Sequence, residues 1–257
     1  MRCQILTYNV HGLPWAKDYS VDIVSWIRSI KPSIICLQEV FLDSARNYFK
    51  EQLARIGYTV IIPRDSGVSL FPSGLLTAFL DSEYSIISDC FYPFLKYYNV
   101  EVFANKGFHM LGLFHKLERK RITIMNTHTQ ATTEVSWLFG NKHVDCARKE
   151  QLQQIVDSTA NMRAPMLLIG DLNCETSPHP YIRFLRMPDI KKHTFPSTGE
   201  DLDHIGWFPL QYADKGCGFC DIEKRGPIME SCAVTALPFS DHLPVIATVR
   251  IPHHIVR

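Results

Sequence analysis

Residues 166–173 read MLLIGDLN, an apolar run that passes through a glycine into a carboxylate and an amide. Four consecutive large apolar side chains predict a buried strand. Asp171 and Asn173 lie two positions apart, so on an extended segment both side chains face the same side. Gly170 allows the backbone to turn tightly beside them. Polar groups at the end of a buried strand are costly unless they are paired or bind something, so this stretch predicts a functional strand end.

Other apolar runs of the chain end in the same way. The strands predicted at residues 5–10, 34–37 and 122–126 also lead into polar side chains, and a polar pair precedes the last strand at 244–251. The residues concerned are Asn9, Glu39, Asn126, His128, Asp171, Asn173, Asp241 and His242. If these strands lie side by side, their ends converge on one cleft. Oxygen ligands with few thiols suit Mg²⁺ or Mn²⁺ better than zinc.

The composition is that of an ordinary globular protein. The chain has 257 residues, of which 46% are hydrophobic and 21% charged, with a formal net charge of +1. This length can bury one substantial core, and we expect one domain over residues 1–257. The charge provides no strong overall field toward DNA or an anionic membrane. The basic runs at 118–121 and 191–192 are interpreted as solvated surface.

No segment resembles a secretory signal or a membrane span, because no window approaches 18 continuous apolar residues. The eight cysteines are scattered, which favours reduced thiols and a cytoplasmic location over a disulfide framework. Cys217 and Cys220, with Cys232 downstream, are compatible with a zinc site or a disulfide. One CxxC pattern without a second pair is a weak indication of either.

Helical and strand periodicities alternate along the chain, which is typical of an α/β or α+β domain. Helices are predicted from Ser20, as N-cap, to Ile30, from about Ser44 to Ile56 with Gly57 as the cap, and from Asp145 to about Thr159. Further strands are predicted at residues 75–80 and 110–114. Residues 186–234 carry little periodicity and are predicted to be rich in loops, which indicates either function or unrecognised strands.

Six short motifs in a fixed order resemble the endonuclease/exonuclease/phosphatase superfamily over about residues 3–250. They are NVHGLP at 9–14, LQEVF at 37–41, THTQA at 127–131, GDLN at 170–173, LDH at 202–204 and SDH at 240–242. The resemblance implies an α+β fold, a four-layer α/β/β/α sandwich of two packed mixed β-sheets flanked by helices. The motifs NVHGLP, LQEVF and THTQA, with Lys106-Gly107-Phe108 before a strand, are most similar to neutral sphingomyelinases.

The resemblance also implies a metal site with one or two Mg²⁺ or Mn²⁺ ions. Glu39 is the expected metal ligand, Asn9 supports the metal or its water ligands, and Asp241 lies close to the metal or its water network. His242 is the expected general base or acid. Asp203 resembles the carboxylate that orients this histidine and favours its charged form.

Two further residues are expected to bind the substrate phosphate. Asn173 donates a hydrogen bond to a phosphate oxygen, and His128 donates to a non-bridging oxygen and stabilises developing charge. Asp171 accepts a hydrogen bond from the attacking water, but the sequence leaves open whether Asp171 or His242 removes the proton of that water. His204 departs from the family, which usually has an aromatic residue there, and this leaves the pairing of Asp203 with His242 less certain.

The expected activity is hydrolysis of a phosphodiester by in-line attack of water, with release of a phospholipid headgroup at a membrane surface. Three aromatic stretches are candidate lipid-contacting loops, although core packing is the favoured interpretation of each: residues 137–140 (WLFG), Phe91 to Phe94, and Phe71-Pro72. A nuclease acting on DNA or RNA is the main alternative, although no basic track is evident. An inositol-phosphate phosphatase and an inactive scaffold are further alternatives. We expect a monomer that contacts membranes peripherally.

Overall fold

A computed structural model describes residues 1–64, 69–132, 142–159, 165–175, 182–184, 193–208 and 227–251. This part of the chain contains three α-helices, a 3-10 helix at Asn99–Phe103 and twelve strands. In chain order they are β1 (Arg2–Gly12), α1 (Ser20–Ile30), β2 (Ile34–Val40), α2 (Asp43–Arg55), β3 (Tyr58–Ile61), β4 (Leu76–Leu80), β5 (Tyr84–Pro93), β6 (Gly107–His115), β7 (Lys120–His128), α3 (Lys142–Thr159), β8 (Met166–Asp171), β9 (Arg183–Phe184), β10 (Asp203–Trp207), β11 (Ile228–Val234) and β12 (Val245–Arg250).

The strands form two mixed six-stranded sheets. The order is β11-β12-β1-β2-β4-β3 in the first sheet and β5-β6-β7-β8-β10-β9 in the second. Each sheet has one parallel pair near its centre, β1 with β2 and β7 with β8, and its other pairs are antiparallel. The carboxyl ends of the two strands in each parallel pair therefore lie at the same edge.

Alternate residues of the central strands bury into different layers. In β1, Ile5 packs in the core between the sheets, whereas Leu6 packs beneath α1 and α2 with Ile27 and Phe49. The residues of β8 alternate in the same way. Leu167 and Ile169 pack in the core between the sheets, whereas Met166 and Leu168 pack against α3. Burial on both faces explains why these strands are continuous apolar runs. The predicted four-layer α/β/β/α sandwich is confirmed.

The first and last clear strands are neighbours in the middle of a sheet. β1 pairs antiparallel with β12, with Arg2 opposite Arg250 and Thr7 opposite Val245. The amino group of Met1 donates to the carbonyl oxygen of Ile251 at 3.0 Å. The inter-sheet core therefore contains side chains from both ends of the described chain.

Several local predictions need correction. Ser20 is the first residue of α1, and the N-cap is Tyr19, while Asp18 Oδ1 accepts hydrogen bonds from the backbone N–H and hydroxyl of Ser20. The strands β3, β5, β9, β10 and β11 were not recognised, and the last two lie within the region predicted to be rich in loops. Gly57 follows α2 at a φ of 94°, as its predicted capping position requires.

In the part of the chain that the structure describes, no helix combines the length and apolar character needed to cross a membrane. The six cysteines of this part form no disulfide with one another, which agrees with the expected reduced thiols. Cys217 and Cys220 lie outside the described residues.

Candidate active site

The site is built where strands of both sheets end at the same edge. Asn9 and Glu39 lie near the ends of the parallel strands β1 and β2. In the other sheet, His128 at the end of β7 is the register partner of Asp171 in β8, and Asp171 is the partner of Asp203 in β10. The two sheets thus bring together residues that are far apart in the chain.

Asn9 joins the two carboxylates across the gap between the sheets. Its Nδ2 donates to Glu39 Oε1 and to Asp171 Oδ2, each at 3.0 Å. Its Oδ1 accepts the backbone N–H of His11 at 3.0 Å, which fixes the orientation of the amide. Asn9 is therefore the residue that links the first sheet's half of the site to the second sheet's half.

Glu39 has the features expected of a metal ligand. Its backbone is left-handed, with φ at 59°, a strained conformation that turns the side chain out of the ladder of β2. Its Oε2 is buried and has no hydrogen-bond partner among the described residues. Burial raises the pKa of the carboxyl, while Lys106 and the Asn9 hydrogen bond oppose the rise. A buried, unpartnered carboxylate oxygen beside a second carboxylate is compensated well by a divalent cation.

His242 lies between two carboxylates. Its Nδ1 is 2.8 Å from Asp203 Oδ2, and its Nε2 is 3.6 Å from Asp171 Oδ2. Burial alone would lower the pKa of the ring, but Asp203 and Asp171 raise it to about 10. The predicted pairing of Asp203 with His242 is thus present in the structure, and the two carboxylates favour the charged imidazole.

The carboxyls of Asp171 and Asp203 are shifted in opposite directions. Burial acts to raise the pKa of Asp171, but His242, His128 and the hydrogen bond from Asn9 hold it below its usual value. Burial raises the pKa of Asp203, although His242 opposes that rise. Asp171 is therefore the more acidic of the two, and its Oδ1 also accepts the backbone N–H of Asn173 at 2.9 Å.

His128 is held as a neutral ring beside a buried lysine. Burial, followed by the charge of Lys106, lowers the pKa of His128 to about 3. Lys106 Nζ lies 3.2 Å from His128 Nε2, donates to the carbonyl oxygen of Thr129 and pairs with Glu101. Since the ammonium can only donate, Nε2 accepts and the ring hydrogen is on Nδ1. His128 Nε2 is also 3.6 Å from Asp171 Oδ2.

The GDLN segment places the remaining predicted residues. Gly170 has φ at 141°, and a Cβ there would overlap the carbonyl oxygen of Thr127 on the neighbouring strand. The glycine is therefore required by this close approach of β7 and β8. Asn173 has φ at 48°, and its Nδ2 donates to the carbonyl oxygen of Thr129 at 3.3 Å. That contact keeps the amide beside the strand that carries His128.

Asp241 lies at the more exposed margin of the site. Its Oδ1 is 3.1 Å from His11 Nδ1. The backbone N–H of His11 in turn donates to Asn9 Oδ1. Burial opposes the change, but His11 and His242 lower the pKa of Asp241. Ser240 Oγ donates to the carbonyl oxygen of Asn9 at 2.7 Å and anchors this loop to β1.

His204 points away from the reactive cluster. Its Nε2 is 2.7 Å from the carbonyl oxygen of Cys174, and burial lowers the pKa of the ring. The departure from the usual aromatic residue at this position therefore leaves the Asp203–His242 contact intact.

The polar atoms of the site suit a hard cation. Glu39 and Asp171, held 3.0 Å from a common amide nitrogen, offer carboxylate oxygens of the type that Mg²⁺ and Mn²⁺ prefer. Asp171, Asp203 and His242 also place one ligand atom each within 4.8 Å of one another. The contact with Asp203 occupies Nδ1 of His242, however, so the pair around Glu39 is the better candidate.

Sequence reasoning did not assign a role to two features of the site. Lys106 was noted only as part of a motif, since nothing local indicates that its ammonium reaches His128. A buried network also links the sheets: Gln38 Nε2 donates to Asn126 Oδ1 at 2.9 Å, and Asn126 Nδ2 donates to the carbonyl oxygens of Leu37 and Leu76. This network fixes the position of Gln38, the residue before Glu39. The one indication of it in the sequence was that Asn126 lies at the end of a predicted strand.

The candidate lipid-contacting loops have different outcomes. Phe71 is partly exposed, whereas Phe94 is buried in the core beneath α3, as the favoured interpretation of core packing predicts. Tyr92 is partly exposed and stacks on Phe108 at a ring distance of 5.0 Å. Residues 137–140 and the basic pair at 191–192 lie outside the described residues. In the run at 118–121, Lys120 pairs with Glu118, as expected of a solvated surface.

The fold and the site together define a class of phosphoester hydrolases. Proteins of this class have two packed mixed sheets, with carboxylates, amides and imidazoles gathered at one edge. The chain belongs to the Endonuclease/Exonuclease/phosphatase family, whose sequence profile matches residues 6–242. The predicted family membership is confirmed.

The similarity to individual proteins is distant in sequence and close in fold. The probable RNA exonuclease NGL3 of Saccharomyces cerevisiae is 25% identical over 191 residues, or 70% of this chain, and the chain spans 36% of the length of that relative. The structure of beta toxin from Staphylococcus aureus with bound magnesium ions has a TM-score of 0.70 at 17% identity, covering 96% of this chain and 99% of the other. Sphingomyelinase C from Streptomyces griseocarneus has a TM-score of 0.66 at 18% identity, with coverage of 96% and 99%.

Proposed function

We propose that the protein is a Mg²⁺-dependent phosphodiesterase, with Mn²⁺ as a substitute, that releases the headgroup of a phospholipid in the manner of a sphingomyelinase. One observation carries the proposal: Asn9 joins Glu39 to Asp171, and the same Asp171 oxygen faces His242. A site for a hard cation and a titratable pair for water are thereby adjacent.

Glu39 would hold the ion, with Asn9 and Asp241 supporting it or its water shell. When bound, the ion supplies positive charge that stabilises the developing charge on the phosphate oxygens. The unpartnered Oε2 of Glu39 supports this assignment from within the site. The magnesium ions in the beta toxin structure support it from a protein of the same fold.

The protein's own residues divide the remaining work. The Asp171–His242 pair, 3.6 Å apart, orients a water molecule and takes its proton, and Asp203 keeps the histidine ring in the required orientation. Asn173 donates to a phosphate oxygen. His128 donates to a non-bridging oxygen once its proton is on Nε2, and the neighbouring ammonium of Lys106 can donate to the same phosphate.

A phospholipid is the favoured substrate because the motifs resemble neutral sphingomyelinases and the chain carries no excess of positive charge. A nuclease that follows a phosphate backbone is expected to present several uncompensated cations. The second candidate function is nevertheless hydrolysis of RNA or DNA, since a relative is described as a probable RNA exonuclease.

The test is a panel of substrates with the purified protein and Mg²⁺. The panel contains sphingomyelin vesicles, single-stranded and duplex DNA, RNA, inositol phosphates and a soluble chromogenic aryl phosphodiester, each with and without excess chelator. Release of phosphocholine that stops with chelator supports the proposal. Release of nucleotides alone supports the second candidate, and activity that survives the chelator contradicts the metal requirement.

A further inference from the structure

An apolar cleft opens directly beside the catalytic residues. It has a volume of about 210 Å³, and its lining includes Glu39, Lys106 and His128. A substrate whose phosphate lies at these three residues must therefore direct one of its substituents into or across the cleft. The chemistry of the cleft walls indicates what that substituent is.

The walls come from several segments of the chain and consist mainly of hydrocarbon. Leu13, Pro14 and Trp15 follow β1, and Phe41 follows β2. Phe41 contacts Phe71 edge-on, with the ring centroids 6.3 Å apart.

Another segment is the 3-10 helix Asn99–Phe103, which contributes Val100 and Phe103. It is tied to Phe71, which lies between β3 and β4, by two backbone hydrogen bonds, from Phe71 N–H to the Phe103 carbonyl oxygen and from Asn105 N–H to the Phe71 carbonyl oxygen, at 3.0 and 3.1 Å. The walls are therefore connected parts of the fold.

The outer margin of these segments exposes large apolar side chains to solvent. We call this margin the apolar rim; it consists of Trp15, Val100 and Phe103, which line the cleft, and of Leu70 and Val102, which are chain neighbours of lining residues. Trp15 and Leu70 are 77% and 75% exposed, and the other three are about half exposed. Single exposed apolar residues are common, but several that surround one cleft mark an interaction surface.

The charges of the cleft argue against a polyanionic occupant. The charged residues that line it are Glu39, Glu101 and Lys106, and Lys106 is ion-paired with Glu101. Among the described residues of the lining, no uncompensated cation is therefore available to bind the flanking phosphates of a nucleic acid. An occupant that is apolar and attached to a single phosphate matches the lining better.

We infer that the apolar rim docks on a lipid bilayer and that the cleft receives the hydrocarbon-bearing alcohol of a phospholipid next to its phosphate. This inference rests on the proposed function, and it specifies which surface meets the membrane. Docking relies on burial of apolar side chains, so it does not require anionic lipid and is insensitive to salt.

The direct test is co-sedimentation of the full chain with phosphatidylcholine vesicles, at low and high salt. The variant Trp15→Ser/Phe103→Ser is compared with Leu117→Ser, which changes a residue that is 88% exposed at the turn between β6 and β7, away from the cleft. We expect vesicle affinity to fall about a hundredfold in the double variant, roughly tenfold for each large apolar side chain. Leu117→Ser is expected to bind as the wild type does, and circular dichroism confirms that all three proteins are folded.

The catalytic readout is the ratio of turnover on sphingomyelin vesicles to turnover on the soluble aryl phosphodiester. The ratio falls in the double variant and stays unchanged in Leu117→Ser if the inference is correct. Equal vesicle binding by double variant and wild type would overturn it, as would binding that requires anionic lipid and disappears at high salt. If the double variant loses binding to an oligonucleotide but keeps binding to vesicles, the cleft binds a nucleobase and the inference is wrong. If the wild-type protein binds vesicles but hydrolyses no phosphodiester of the panel, the proposed function is refuted, whereas docking of the apolar rim on the bilayer is not.

Discussion

Asp171 and Asp203 are direct cross-strand neighbours, yet the pKa of Asp171 is lowered and that of Asp203 is raised. His242 lies between their carboxylates, 2.8 Å from Asp203 and 3.6 Å from Asp171. Two chemically identical groups are thus separated into a more acidic carboxylate that faces the centre of the site and a more basic one behind the histidine. Such a separation is typical of sites that carry out acid–base chemistry.

Replacing His242 with glutamine should abolish most of the activity and leave the fold intact. The amide can still donate to Asp203, but it cannot carry the proton, so we expect kcat to fall by about 10²- to 10⁴-fold. His193→Gln is the control, because His193 is about half exposed and its Nδ1 lies 3.5 Å from Asp201 Oδ1, a carboxylate that the proposed mechanism does not use. A near-normal kcat in purified His242→Gln would exclude the histidine from proton transfer.

Replacing Glu39 with glutamine should weaken metal binding. The substitution keeps the size of the side chain but removes the negative charge of the unpartnered Oε2. We expect the rise in melting temperature that Mg²⁺ or Mn²⁺ produces in the wild type to be lost or much reduced. Glu51→Gln, on the exposed face of α2, is the matched control. An unchanged metal-induced shift in Glu39→Gln would place the ion elsewhere.

Replacing Gly170 with alanine should cost far more stability than the same change at Gly57. At Gly170 the new Cβ overlaps the backbone of Thr127, and φ is unfavourable as well. At Gly57 φ is 94°, but a Cβ meets no atom of the described chain within 4 Å. We expect losses of at least about 3 kcal/mol and about 1 kcal/mol, respectively, in the free energy of unfolding measured with urea. Equal losses would contradict the close approach of β7 and β8.

The strands that could be predicted are those whose own residues show that they are buried. The strands of the site were recognisable because they are buried on both faces and end in polar residues, as in the run from Met166 to Asn173. β5 was missed because it is an edge strand with mostly exposed side chains, so neither alternation nor a continuous apolar run is present. β10 was missed because it begins with Asp203 and His204, whose burial depends on partners distant in sequence.

The wrong predictions have the same origin. Ser20 has the residue type of an N-cap, but the neighbouring Asp18 accepts its backbone N–H. The contact of Lys106 with His128 depends on the register of β6 and β7, which composition and periodicity do not specify.

Acidic pH should destabilise the fold through His109. This ring is buried between Thr77 and Asp89, and burial lowers its pKa from 6.5, although Asp89 opposes the change. The unfolded chain therefore binds a proton below pH 6.5 that the folded chain does not. The contribution of His109 to stability is fully present above that pH and is lost as the pH falls through the lower folded pKa.

The measurement is the melting temperature of wild type and His109→Gln by calorimetry between about pH 7 and about pH 5. We expect a shallower decline in the variant, and the same decline as wild type in His193→Gln, whose ring is exposed. Parallel curves for wild type and His109→Gln would show that the buried histidine does not contribute to the acid sensitivity.

The pairing of β1 with β12 has a consequence for how the protein is made on the ribosome. During synthesis, β1 lacks its partner β12 until residues 245–250 have emerged. His242 lies only a few positions before β12. Asn9 and Glu39 are synthesised long before His242, so the two sides of the candidate site emerge at different times. A nascent chain therefore lacks the His242 side of the candidate site until these residues have emerged, and removal of β12 would take away the antiparallel partner of β1 in the middle of the sheet.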